Sequence, residues 1–200
     1  RDFEATVSKI ESLTPTIKGV WLKLEDGEAF DFQAGQYVNL HLPDDIGSRA
    51  FSVASVPTSG NEIELNIRVV PGGAATTYVH ENLTVGDEIK FTGPYGRFFV
   101  KKSADMPVIF FAGGSGLSSP RSMILDLIEE GFDKPITLVY GQRTRDELYY
   151  HDEFLELAER LPNFTYVPAL SDEAEGSDWE GARGFVHEAA KDHFDNDFRD

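Results

Sequence analysis

The sequence predicts two domains: an antiparallel β-domain, a barrel or a sandwich, over residues 1–102, followed by a doubly wound parallel α/β sheet over residues 103–200. Up to Phe99 apolar and polar side chains alternate with period two, as in strands buried on one face. Beyond Phe99 the pattern changes to continuous apolar runs separated by helical segments, as in parallel strands buried on both faces. A third observation marks a place of interest in this frame. The glycine-rich segment Gly113-Gly114-Ser115-Gly116 follows the first apolar run and opens a helix.

Arg1 begins inside a strand-like pattern. Val20, Leu22 and Leu24 oppose Trp21 and Lys23, and Val38, Leu40 and Leu42 oppose Asn39 and His41. Ile63, Leu65, Ile67 and Val69 oppose Glu62, Glu64, Asn66 and Arg68. Turn signals separate these runs at Asp26-Gly27, Pro43-Asp44, Ser59-Gly60-Asn61 and Val85-Gly86-Asp87. Pro71-Gly72-Gly73 leads into a short helix at Ala74 to Asn82, and Gly93-Pro94-Tyr95-Gly96-Arg97-Phe98 reads as a tight turn ending the β-domain. The polar stretch Lys101 to Asp105 is the expected boundary. Beyond it come a strand at Val108 to Ala112, a helix at Leu117 to Glu130 and a strand at Ile136 to Tyr140. A helix at Asp152 to Arg160, a strand at Phe164 to Ala169 and a helix at Phe185 to Phe194 follow. The acidic run Ser171 to Glu180 reads as a solvated loop.

Composition narrows the function. Eighteen Lys and Arg against 35 Asp and Glu give a formal charge of −17, a field that repels polyphosphate chains and anionic lipid. Nucleic acid and membrane surfaces are therefore not expected partners. An anionic cofactor would need local cations, and Arg49, Arg68 and Arg97 lie in or near the candidate segments. With no cysteine there is no disulfide, zinc thiolate or cysteine-ligated iron–sulfur cluster within these residues. The five histidines lack metal-ligand spacing, and no metal site is expected. No apolar stretch of about 18 residues and no signal-peptide pattern is present, so the expected compartment is the cytoplasm.

Two segments carry chemistry. In Arg49-Ala50-Phe51-Ser52-Val53-Ala54-Ser55 the arginine offers a forked donor for a pyrophosphate, the phenyl ring can lie on a flat ring system, and Ser52 can hydrogen-bond a ring nitrogen. On an extended strand Arg49, Phe51 and Val53 point one way and Ser52 the other. Taken alone, the segment is better read as a barrel strand with an edge arginine and one exposed serine. Pro71-Gly72-Gly73-Ala74-Ala75-Thr76-Thr77-Tyr78 adds glycines and hydroxyls at a helix N-terminus, where free N–H groups favour phosphate. The glycine loop matches G-x-G-x-x-G at Gly114 and Gly116, with Ser119 in the third place. Its plain alternative is a tight turn without a ligand. Tyr140-Gly141-Gln142-Arg143 ends the next strand, where Arg143 could stack on adenine or meet a 2′-phosphate. An acidic ribose ligand about 20 residues past the loop is not evident, because Glu129 and Glu130 fall at a helix end.

In their order these segments resemble the ferredoxin–NADP reductase superfamily over nearly the whole chain. Leu13-Thr14-Pro15-Thr16-Ile17-Lys18, Phe32-Gln33-Ala34-Gly35-Gln36-Tyr37 and Gly114-Ser115-Gly116-Leu117-Ser118-Ser119-Pro120-Arg121 resemble the reductases of multicomponent phenol hydroxylases. The resemblance implies a Greek-key antiparallel β-barrel that binds FAD, followed by a nicotinamide-binding α/β domain. The family motif Arg-x-(Tyr or Phe)-Ser-x-x-Ser is matched by Arg49, Phe51, Ser52 and Ser55. By resemblance Arg49 pairs with the pyrophosphate, Phe51 packs on the isoalloxazine beside Ala50, and Ser52 contacts the flavin near N5 as the catalytic-site hydroxyl. Ile67, Arg68, Val69 and Val70 would line the flavin through backbone groups, and Gly73, Thr76 and Thr77 would hold the pyrophosphate. Gly114, Ser115, Gly116, Leu117 and Ser119 would receive the nicotinamide end of NADH, with Arg143 on the adenosine side. NADH is favoured over NADPH.

The implied activity is hydride transfer from NADH to FAD, then single-electron release to a ferredoxin-type [2Fe–2S] domain or protein that feeds an oxygenase component in aromatic hydrocarbon catabolism. No side chain need act as a strong acid or base. The rivals are a non-catalytic flavin- or nucleotide-binding subunit of an electron-transfer complex and a stand-alone flavin reductase. The chain departs from the pattern in Phe51, where tyrosine is commoner, so no phenolic hydrogen bond forms there. It also shows neither an N-terminal iron–sulfur domain nor a terminal Cys-Gly-Pro strand. Arg1 is no initiator methionine and Asp200 stops where a further strand is expected, so both ends read as cut.

Overall fold

A computed structural model describes residues 1–43 and 45–195. Asp44 of the Pro43-Asp44 turn signal and the Asp200 terminus lie outside the described residues. Two compact units form: Arg1–Lys101 with Ser118–Gly131, and Lys102–Leu117 with Phe132 onward.

The first unit is a six-stranded antiparallel sheet of β1 (Asp2–Ser12), β2 (Ile17–Leu24), β3 (Tyr37–His41), β4 (Ser48–Ser52), β5 (Glu62–Arg68) and β6 (Glu88–Tyr95), in the order β4-β3-β6-β1-β2-β5. A bridge between Val53 and Leu65 joins its two outer strands and closes the barrel. The inward positions form one core, in which the Phe91 ring meets Phe3 at 5.1 Å and Phe30 at 5.4 Å between centroids. Helix α1 (Ala74–Glu81) buries Ala75 and Val79 against this core. The tight turn expected at Gly93 to Phe98 is instead the end of β6. Tyr95 pairs with Tyr37 in the ladder, their rings 5.7 Å apart, and the chain turns only at Gly96, whose φ is +98°.

Helix α2 (Ser118–Glu129) belongs to this unit. Alternation along β5 sets Glu64 and Asn66 opposite the barrel core, yet they are only 3% and 6% exposed. Side chains of α2 meet that outer face, as the hydrogen bonds of Arg121 to Glu64 and Ser118 to Asn66 show. Gly35 allows close approach at the same side: its φ is +101°, and a Cβ there would collide with the Phe98 carbonyl and the Met123 methyl.

The second unit is a parallel sheet of β7 (Val108–Gly113), β8 (Ile136–Gln142), β9 (Phe164–Leu170) and β10 (Ala182–Arg183), in the order β10-β9-β8-β7. The order runs one way through these four strands. Every residue of β8 is buried, as a central parallel strand requires. Helices α3 (His151–Arg160) and α4 (Val186–Phe194) cover the sheet through Phe154, Leu157, Ala189 and Ala190. β10 pairs only with Ala169 and Leu170, so β9 is flanked on one side at Pro168, where a residue without an N–H is tolerated. Among the described residues no helix is long and apolar enough to cross a membrane.

Candidate functional site

In the first unit the proposed flavin residues gather along the seam that closes the barrel. β4 carries Arg49, Ala50, Phe51 and Ser52 opposite Leu40, Asn39, Val38 and Tyr37 of β3. Arg49 is exposed, its Nη1 donates to the Ser48 carbonyl at 2.8 Å, and it has no carboxylate partner among the described residues. Arg68 and Arg97 are also exposed and without a carboxylate partner among the described residues. In a chain of −17 charge, three such cations are sites where an anion is welcome.

Ile67, Arg68 and Val69 lie at the end of β5 and just beyond it. Some of their backbone is already engaged. His80 Nε2 bonds the Ile67 carbonyl at 2.8 Å, and the Val69 N–H donates to the Thr16 carbonyl at 2.8 Å. Gly73 is the N-cap of α1 and supplies no side-chain cap, so the first-turn N–H groups point outward with the positive end of the helix dipole. The Thr76 hydroxyl accepts from the Val70 N–H at 3.0 Å and donates to the Gly73 carbonyl at 3.2 Å. It shapes the loop, and what Thr76 offers a ligand is its own N–H. Thr77 lines a concavity of about 440 Å³ with Gly72, Ala74 and Tyr78, a volume in the range of small-ligand sites. The N–H donors and the dipole, with no side chain capping the helix, favour an anion, while Asp45 lines the same concavity.

In the second unit Gly114 to Leu117 form a single 3-10 turn after β7. Gly114 has a φ of +58°, and its carbonyl accepts from Gln142 Nε2 at 3.0 Å and from the Tyr149 hydroxyl at 3.4 Å. Gln142 Nε2 also meets the Tyr140 hydroxyl at 2.8 Å. Burial pushes the Tyr140 phenol well above its ordinary range, so it stays protonated. This buried cluster fixes the first residue of the loop. Gly116 differs: nothing lies within 4 Å of where its Cβ would sit and its φ is not left-handed, so the chain itself does not demand glycine there. Leu117 is fully buried and can offer only backbone. Ser119 lies in α2, in the other unit, with its hydroxyl 3.5 Å from the Gly35 carbonyl.

The acidic run is more than a solvated loop. Asp172 pairs with Arg143 at 3.0 Å, and Arg145 pairs with Glu173 at 2.8 Å and Asp178 at 2.7 Å. The guanidinium assigned to the adenosine side thus already has a carboxylate.

A group that sequence reasoning passed over lies under the flavin motif. Arg121 of α2 donates to Glu64 Oε2 and to the Ala54 carbonyl, each at 2.9 Å. Its signal was visible as a charge on the apolar stripe, one turn from Leu117 and from Ile124. Ser55, the last residue of the motif, accepts the Glu64 N–H on its hydroxyl at 3.1 Å and the Ser122 hydroxyl on its carbonyl at 2.7 Å. Its role is to lock the seam.

The oxidoreductase FAD-binding domain family matches residues 4–100, and the oxidoreductase NAD-binding domain family matches residues 110–199. The chain belongs to the ferredoxin–NADP reductase-type oxidoreductases. It is 54% identical over 197 residues to the phenol 2-monooxygenase reductase component DmpP of Pseudomonas sp. (strain CF600), covering 98% of this chain and 55% of that protein. It is 52% identical over 196 residues to the phenol hydroxylase P5 protein of Acinetobacter pittii (strain PHEA-2), again covering 98% and 55%. The crystal structure of the Amycolatopsis cytochrome P450 reductase GcoB superposes with a TM-score of 0.89 at 31% identity, covering 98% of this chain and 59% of that one. The chain spans about half the length of the relatives it matches. The two-domain architecture, barrel then parallel sheet, is that of these reductases. FAD- and NAD-binding domains are both present, while the sequence holds no cysteine and the described residues contain no cluster of His, Asp and Glu able to hold a metal.

Proposed function

We propose that this chain is the FAD- and NADH-binding part of a reductase serving an oxygenase, with residues 1–102 seating FAD and residues 103–200 seating NADH. It works in the cytoplasm, and its electrons pass to a ferredoxin-type [2Fe–2S] domain or protein and then to an oxygenase that hydroxylates a phenol-class substrate. The observation that carries this reading is the 54% identity across 98% of the chain to a phenol 2-monooxygenase reductase component. Bound FAD supplies two-electron acceptance from a nicotinamide and one-electron release to an iron–sulfur acceptor. Arg49 and the first turn of α1 hold its pyrophosphate. Phe51 lies on the ring system, and Ser52 holds a hydrogen bond near N5. Gly114, Ser115 and Gly116 admit the nicotinamide end of NADH. No side chain serves as a strong acid or base.

Ser52→Ala tests the chemical half of this reading. FAD stays bound, but its reduction slows about tenfold, because a hydrogen bond at the accepting nitrogen is worth most while charge develops there. Stopped-flow reduction at saturating NADH measures it. A wild-type rate removes Ser52 from the reacting site.

The preference for NADH is supported by Asp172. Its pairing with Arg143 occupies the cation that a 2′-phosphate would need and places a second anion beside it. Asp172→Asn is expected to raise the NADPH-to-NADH ratio of kcat/KM about fivefold, the scale of one exposed ion pair. An unchanged ratio separates this pair from nucleotide choice.

A further inference from the structure

We infer that Arg121 is a positioning residue for the flavin: through Glu64, Ala54 and Ser55 it fixes the chain segment that carries Phe51 and Ser52. The inference rests on the reading of the barrel seam as the FAD seat.

The segment concerned leaves regular structure at the motif. β4 ends at Ser52, Val53 makes a single bridge to Leu65, and Ala54 and Ser55 lie beyond any ladder. The Ala54 N–H still donates to the Glu64 carbonyl of β5 at 2.8 Å. The Ala54 and Ser55 carbonyls turn to side chains of α2 instead. Arg121 Nη1 takes the first at 2.9 Å and the Ser122 hydroxyl takes the second at 2.7 Å. The same Arg121 nitrogen binds Glu64 Oε2 at 2.9 Å, with side chains only 10% and 4% exposed. The other carboxylate oxygen of Glu64 accepts from Asn66 Nδ2 at 2.7 Å, and Asn66 directly precedes Ile67 at the flavin end of β5.

Packing alone does not call for this pair. A buried ion pair loses the hydration of two charges, and well-packed apolar residues of similar volume often serve stability as well or better. α2 already buries Met123, Ile124 and Leu127. What the pair adds is direction. The planar guanidinium fixes the directions of its N–H donors, and here one nitrogen holds a carbonyl and a carboxylate together; an apolar side chain offers no donor, and a lysine ammonium on a flexible stem fixes them less strictly. Ala54 is two residues from Ser52, so a shift of its carbonyl is passed through a short extended segment to the Ser52 hydroxyl. Misplacement of reacting groups by about 1 Å is enough to slow a reaction by up to about a hundredfold.

The test uses R121M/E64L, in which both charges are replaced together, with R121K and S122A beside it. FAD affinity, the visible circular dichroism of bound flavin, NAD+ affinity, the reduction rate at saturating NADH and Tm are measured for each. The expected result for R121M/E64L is a Tm at or above wild type and unchanged NAD+ affinity, with an altered flavin dichroism and reduction slowed about tenfold or more. R121K keeps the charge without the planar donor geometry and is expected to keep a Tm near wild type but not the rate. S122A is expected to alter the dichroism in the same sense, and it carries the test with R121K if the double variant does not fold. Wild-type dichroism, rate and FAD affinity in variants that fold would overturn the inference and leave the flavin reading standing. A wild-type protein that takes up no FAD would overturn both.

Discussion

Replacing Arg49 by alanine is expected to weaken FAD binding about ten- to a hundredfold, with Tm essentially unchanged. The two halves of this expectation have separate causes. Arg49 is exposed, and among the described residues its side chain hydrogen-bonds only the carbonyl of its own neighbour, Ser48, so the fold loses little when the side chain is removed. The ligand loses much more. A pyrophosphate approaching a chain of −17 charge meets repulsion that only local cations offset, and a charge-assisted fork is the strongest such contact. Fluorescence titration of FAD at two ionic strengths measures the effect, and the variant should also show a weaker salt dependence. Arg49→Lys keeps the charge but not the bidentate geometry and should fall between. Wild-type affinity in Arg49→Ala would remove this residue from the site.

Gly116→Val is expected to raise the KM for NADH and the Kd for NAD+ about tenfold or more while leaving FAD content and Tm near wild type. Space around an added Cβ is open to 4 Å and the backbone is one that a side chain can adopt, so the protein itself does not oppose a side chain at its first carbon. A nucleotide that approaches the loop backbone closely does. Gly114→Val is the contrasting variant. With a φ of +58° a side chain is strained there by about 1–2 kcal/mol, so stability falls along with nucleotide binding. Equal KM values for Gly116→Val and wild type would mean that this loop is a turn and no more.

Legibility in the sequence followed the range of the forces involved. Strands β2, β3 and β5 and the apolar runs that became β7, β8 and β9 were readable because a face buried against one core imposes a period of its own. Helix α1 was announced by Pro71-Gly72-Gly73, and α2 to α4 by helical periodicity, with ends displaced by a residue or so. Pairing that depends on distant partners was not readable. Tyr95 continues β6 only because Tyr37 lies opposite, so Gly93-Pro94 looked like a turn. β10 has two residues and no pattern. The segment Arg49 to Ser55 stood out in the sequence because its arginine, aromatic and hydroxyl residues are distinctive as a set. The hidden part is what supports them: Glu64 and Asn66 alternate like surface residues, and only a helix more than fifty residues later makes them buried. Likewise the Asp172 partner of Arg143 sits in an acidic run whose composition suggests solvent.

The central claim is that this protein takes a hydride equivalent from NADH onto a flavin seated by the barrel. Anaerobic addition of NADH to the FAD-loaded protein, followed by the flavin's visible absorbance, tests it most directly. NADH is expected to bleach the band, NADPH to do so more slowly, and Ser52→Ala to slow the bleaching without releasing FAD. A bound flavin that stays oxidised in excess NADH, yet is bleached by dithionite, would contradict it and leave a flavin-binding module without the reductase chemistry.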